Sequence, residues 1–163
     1  MTPILGDYCM SSKRHFDKPF QLYHLSEENL DGKRLEPRPM DKMRVMEGED
    51  WKVPRICVST SIDGAVSALL DSVSCPFGTK LWVHVPTNLE ELFKENKVHR
   101  PSLRQVPDAE VTGEHWLKAP TTFKAIGKIE VTGIDSTASL YYKWKGEDTR
   151  LDRFTWKWTI CRL

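Results

Sequence analysis

Three short clusters in the chain carry side chains suited to chemistry. Tyr23-His24-Leu25-Ser26 places an imidazole at the end of a short strand candidate, Gln21 to Leu25. A neutral imidazole offers one donor and one acceptor, which suits ribose hydroxyls or proton transfer. The same pattern fits a histidine satisfied by backbone beside a strand end. Ser59-Thr60-Ser61, followed by Ile62-Asp63-Gly64, stands where a strand passes into a helix. Hydroxyls there cap the helix, and the helix start presents amides that favour anions such as phosphate. Capping without a ligand is the plainer use. Val111-Thr112-Gly113-Glu114-His115-Trp116 combines a glycine that lets the backbone turn, a carboxylate and an indole that can form a stacking wall. A carboxylate among apolar neighbours has its ionisation shifted and can orient a sugar hydroxyl. A solvated surface glutamate is the ordinary alternative. The glycines of a G-x-S-x-G elbow are missing around Ser59 and Ser61, and the chain holds neither a P-loop nor a G-x-G-x-x-G.

The elements that must position these clusters are legible in part. Arg55 to Ser59 is a β-branched strand. Ile62, Ala65, Val66, Leu69, Leu70 and Val73 then recur at helical spacing, with Ser61 as the simplest N-cap. Lys80 to Val85 reads as a second strand, ended by Pro86. Asn88 and Glu91 have the form of a capping box before the apolar positions Leu89, Leu92 and Phe93. Ser26 to Leu30 suggests one helical turn, stopped by Asp31-Gly32. The last third is strand-rich: Phe123 to Ile134, with Gly127 marking a bulge or close approach, then Ser139 to Trp144, a turn at Lys145-Gly146, and a final strand. In that last strand Phe154, Trp156, Trp158 and Ile160 alternate with Thr155, Lys157, Thr159 and Cys161. Residues 1–19 read as a loosely held lead-in. Leu35 to Pro54, with Pro37, Pro39 and Gly48, reads as a long loop with few apolar contacts to pin it, placed over or beside a ligand pocket. Together these features predict one α+β domain over residues 1–163. Its mostly antiparallel sheet is bent or split and carries two short helices.

In chain order the three clusters resemble the ADP-ribosyltransferase superfamily. That family carries an Arg or His on a first strand, an S-T-S on a second strand leading into a helix, and a Glu on a later strand. His24, Ser59-Thr60-Ser61 and Glu114 stand in those positions, and the matched region spans residues 22–116. The resemblance implies a split-sheet fold, NAD as substrate and transfer of ADP-ribose to a macromolecular or small-molecule target. It implies that His24 holds the adenosine-side ribose, that Ser59, Thr60 and Ser61 shape the nicotinamide pocket, and that Glu114 polarises the nicotinamide ribose. Tyr23 and Trp116 would line the cleft. The side chains of His24, Ser59 and Glu114 would then converge, and the amides of the helix near Ser61 would point inward. The sequence joins the His of one branch to the S-T-S of another and lacks an E-x-E pair. A non-catalytic protein that sequesters a nucleotide or an ADP-ribose-derived signal therefore stands beside the enzyme. The chain is also similar to small proteins carried by phage and mobile elements, for which such a sponge would serve as anti-defence.

Composition narrows the remaining classes. The chain has 163 residues, 39 % hydrophobic and 29 % charged, which excludes collagen, linkers and acidic disordered tails. Twenty-four basic against twenty-three acidic residues leave a net charge of +1, so no nucleic-acid or membrane coat is indicated. Tyr141 to Lys145 and Phe154 to Trp158 interleave aromatics and lysines as single-strand binders do, but Glu147, Asp148 and Asp152 lie among them. A core strand with lysines outside is the simpler expectation. His84, His99 and His115 lack the spacing of a metal site, and no metal is expected. Cys9, Cys57, Cys75 and Cys161 are scattered. With no secretory signal and no long apolar stretch visible, free thiols in a cytoplasmic protein are expected.

Overall fold

The computed structural model describes residues 21–70, 78–144 and 147–163. Its first strand, β1 (His24–Ser26), is followed by β2 (Arg34–Leu35), a 3-10 turn (Lys42–Arg44) and β3 (Ile56–Ser59). Helix α1 (Ile62–Leu70), β4 (Thr79–Pro86), α2 (Leu89–Lys94), β5 (Val98–His99), α3 (Ala109–Thr112) and β6 (Glu114–Leu117) come next. Two long strands, β7 (Thr121–Trp144) and β8 (Glu147–Arg162), complete the order. One sheet runs β1-β4-β7-β2 with β8 also on β7, and a second runs β3-β6-β5. Every pairing between these strands is antiparallel. The result is a single small α+β domain built on two sheets.

Among the described residues three cores follow from the apolar patterns. Helix α1 lays Ala65 and Val66 on the large sheet against Leu25, Leu81, Val83, Ile129 and Val131. Fully burying each such valine or leucine contributes about 1.5–3 kcal/mol before the entropy of ordering is counted. The aromatic face of β8 closes the same layer. Trp156 Nε1 donates to Ser67 Oγ at 3.0 Å, and Asp63 Oδ1 accepts from the Trp156 amide and from Trp158 Nε1. The indoles of Trp156 and Trp158 are therefore tied to α1, while Lys157 points to solvent. Leu22, Ile56, Val58, Leu92, Leu117 and Phe123 fill a second core. A small third one holds Val106, Ala109 and Trp116.

Several local expectations change. Helix α3 makes a third helix where two were expected, because four residues are too few to show a period. The Ser26 to Leu30 stretch forms no helical turn, although Asp31-Gly32 does turn, with Gly32 at φ 70°. Asn88 precedes α2 but makes no side-chain cap; its Oδ1 is buried and unpartnered, so the capping box is not formed. The two strands expected around residues 123–144 are one continuous strand. Gly127 does lie beside a shift in register, and a Cβ there would meet Cys161 O at 2.9 Å. Beyond the last β4 pair, Thr79 with Val131, the described part of β7 continues with β8 alone. The lead-in at 1–19, Val73, Cys9, Cys75 and the turn at Lys145-Gly146 lie outside the described residues. Cys57 and Cys161 are free thiols. Among the described residues no helix is long and apolar enough to cross a membrane.

Candidate functional site

An isolated backbone bridge joins the two sheets. The Tyr23 amide donates to Ser59 O at 2.8 Å, and the Ser59 amide donates back to Tyr23 O at 2.9 Å. Ser59 is in turn the cross-strand partner of Glu114. Tyr23, Ser59 and Glu114 thus form a transverse row at the seam, after which β1 goes to β4 and β3 goes to β6. All three sequence clusters meet there.

Their side chains do not all meet. Cross-strand partners share a face and the next residue takes the other, so the pleat sets His24 opposite Tyr23, Ser59 and Glu114. The contacts agree. The His24 ring lies 5.2 Å from the Phe123 ring, in the second core, and 6.3 Å from the His84 ring. Its Nδ1 lies 2.9 Å from Cys57 O. A carbonyl only accepts, so Nδ1 carries the proton and Nε2 is left as the acceptor. His84 is fully buried and fixed in the same tautomer: its Nε2 accepts from the Leu30 amide at 2.9 Å, and its Nδ1 faces His24 O.

Ser59, Thr60 and Ser61 build the joint between β3, α1 and α3. Ser59 is buried; its Oγ donates to Thr112 O and accepts from the Ser61 amide. Ser61 caps α1 through its Oγ, which accepts from the Gly64 amide at 2.9 Å. The amides expected to face a ligand from Ser61 and Gly64 are therefore occupied by these two hydroxyls. Thr60 is exposed, and its amide donates to Gly113 O. Gly113 caps α3 at φ 65°, and a Cβ on it would lie 2.3 Å from Thr60 Oγ1.

Glu114 is buried at 8 % exposure, and its Oε1 accepts from Trp116 Nε1 at 2.6 Å. Burial first, and the nearby Glu49 carboxylate, push its carboxyl above the usual range, while Trp116, Arg55 and Cys57 oppose the shift. Trp116 has no exposed surface, so it is a core residue here and not the wall of an open cleft. The Arg55 guanidinium lies 4.2 Å over its ring. Burial also pushes the neighbouring Cys57 thiol up to about 12, which keeps it protonated and unreactive. Arg55, Glu49 and Cys57 escaped notice in the sequence. The available signal was an arginine opening an otherwise apolar strand.

The segment from Leu35 to Pro54 packs against Arg55 at the start of β3 and is well pinned. Arg38 and Arg55 form a bridge, the Met40 amide donates to Trp51 O, and the Asp50 amide donates to Gln105 O. Glu49 Oε1 accepts from Arg55 Nη2 at 2.7 Å. Buried polar contacts hold the segment where apolar ones were absent from the sequence pattern.

No group of three or more metal-ligating side chains is present among the described residues. Comparisons with protein-family models, with curated proteins and with solved structures each find no match. The resemblance to ADP-ribosyltransferases rests on the three sequence motifs alone.

The histidines set an acid limit on the fold. Burial is the leading cause that lowers His24, His84 and His115 below the ordinary histidine value of 6.5, against backbone hydrogen bonds that oppose it. A depressed folded value means the unfolded chain binds more protons, so this stability is complete above about pH 6.5 and is lost as pH falls. Glu114, raised in the fold, acts in the opposite direction, but it is one group against three. Urea unfolding midpoints should therefore be lower at pH 5.5 than at pH 7.5. Equal midpoints would show that the buried histidines contribute nothing net.

Proposed function

We propose that this protein binds NAD at the seam between its two sheets and transfers the ADP-ribose group to a second molecule. The observation that carries this is the Tyr23–Ser59–Glu114 row, which gathers three clusters far apart in sequence at the point where the sheets part. In this scheme the bond from the nicotinamide ribose C1′ to the ring nitrogen breaks, and nicotinamide leaves with the electron pair. Glu114 stabilises the oxocarbenium-like carbon until a nucleophile of the acceptor attacks it. His24 turns to the opposite face, against Phe123, and contributes no group to this scheme. Purified protein incubated with NAD should release nicotinamide. Glu114→Gln should lower the rate on the order of 10²–10³-fold, the scale for losing one preorganised electrostatic group, while NAD binding persists.

A second reading has its own support. The Ser59 hydroxyl and the Glu114 carboxylate are buried and already hydrogen-bonded, and His24 occupies the other face. Those facts weigh against turnover, and the reading that needs none is a protein that holds a nucleotide or an ADP-ribose-derived signal. Saturable binding in a calorimetric titration, with no nicotinamide released, would select the binding protein. Absence of binding to NAD and to nucleotides would reject both.

A further inference from the structure

Glu49, Arg55, Trp116 and Glu114 come from three separate stretches of chain and form one continuous buried line. Glu49 belongs to the loop before β3. Its Oε1 accepts from Arg55 Nη2 at 2.7 Å, with the two side chains 12 % and 0 % exposed. Arg55 Nη1 donates to Asp50 O and to Val53 O, so the loop backbone also grips the guanidinium. The Arg55 Nε is buried and without a hydrogen-bond partner. The plane of the guanidinium is thus set by two edge contacts and by its seat over the Trp116 ring, 4.2 Å from the centroid. The same indole carries the Nε1–H that meets Glu114 Oε1 at 2.6 Å. A buried stacked arginine restrains an indole in tilt and translation, and an arginine fork does this where a lysine point charge does not.

We propose that Arg55 is a positioning residue for Glu114: gripped by Glu49 and the loop, it holds Trp116 so that the indole N–H fixes and sustains the carboxylate. The proposal rests on the reading above in taking Glu114 as the working carboxylate. It adds that the loop around Glu49 governs that carboxylate without touching it. The charged and titratable groups acting on Glu114 are Glu49 from the loop, Arg55 and Cys57 from β3 and its start, and the Trp116 N–H from its own strand.

The test is a titration of the free protein, with no NAD present. Glutamate labelled with ¹³C at the side-chain carboxyl gives the Glu114 resonance, assigned by its loss in Glu114→Gln. Trp116→Phe removes the donor and keeps a ring, so the Glu114 midpoint should move up. Arg55→Lys keeps the charge and loses the fork and the stack. A purely coulombic Arg55 would leave the midpoint in place, whereas a positioning Arg55 moves it upward and speeds exchange of the Trp116 indole proton. Glu49→Gln covers the case in which Arg55→Lys does not fold. Loss of a like charge alone lowers the Glu114 midpoint, while loosening of Arg55 raises it. An upward move in Arg55→Lys, or in Glu49→Gln if that is the variant that folds, supports the proposal. An unchanged or lowered midpoint there, or no change in Trp116→Phe, overturns it. A wild-type protein that neither binds nor cleaves NAD would defeat the transferase reading and leave these titrations fully interpretable.

Discussion

Gly64→Ala should lose about 3 kcal/mol or more of stability, although the same change inside an ordinary helix gains up to about 1 kcal/mol. A Cβ at Gly64 would lie 1.9 Å from Thr112 O and 2.6 Å from Ser59 Oγ. The first is a backbone atom held at the end of α3, so relief requires α1 and α3 to part. Both helices abut the Ser59 joint, and the damage falls on the seam. At this chain length each kcal/mol moves Tm by roughly 2–4 °C, so a fall of roughly 6–12 °C is expected by thermal unfolding. Gly32→Ala is the control. Gly32 has φ 70° with nothing within 4 Å of the new methyl, so only backbone strain of about 1 kcal/mol should appear. Equal losses in the two variants would contradict the close helix approach.

Arg55→Ala should cost about 3–5 kcal/mol, the range for breaking a buried ion pair from one side. Three losses coincide: the Glu49 carboxylate is stranded at 12 % exposure, the Trp116 ring loses its cover, and the Asp50 and Val53 carbonyls lose their donor. Replacing the pair together, as Arg55→Met with Glu49→Leu, removes both charges and restores apolar volume. It should cost less than the single change, because desolvating the two ions offsets much of their attraction. Urea denaturation of the three proteins decides this. A double variant less stable than Arg55→Ala would mean that Glu49 holds the loop by contacts other than this ion pair.

Much of the local structure was written in periodicity. The helix at Ile62 and its Ser61 cap, the strands before and after it, and the alternating Trp face of β8 each express a pattern within a few residues. The meeting of Tyr23, Ser59 and Glu114 was reachable only through motif order, since strand pairing joins residues that sequence keeps far apart. What stayed hidden was side-chain partnership. No local signal says that Ser59 Oγ will serve Thr112 O, that Trp116 will turn its N–H to Glu114, or that Arg55 will be buried under a loop of charged residues. The facing of His24 was illegible for a related reason: one step along a pleated strand reverses the direction of a side chain, and the bridge that fixes the register lies 36 residues downstream of Tyr23, at Ser59. The capping box at Asn88 failed because the side chain turned inward, a choice made by packing and not by the helix end.

The stitching of α1 to β8 bears on the order in which the molecule can be made. Asp63 accepts from the Trp156 amide 93 residues away and from the Trp158 indole 95 residues away, and Ser67 from the Trp156 indole 89 residues away. A ribosome delivers the chain from the N-terminus, so α1 emerges with one flank of its core still unsynthesised. It can meet β1 and β4 earlier, but its polar edge stays open to water until residues 156–158 clear the exit tunnel. Closure of so long a loop is slow compared with forming a helix. The aromatic strand therefore acts as a late seal on α1, and closure of this core waits for the synthesis of Trp156 and Trp158.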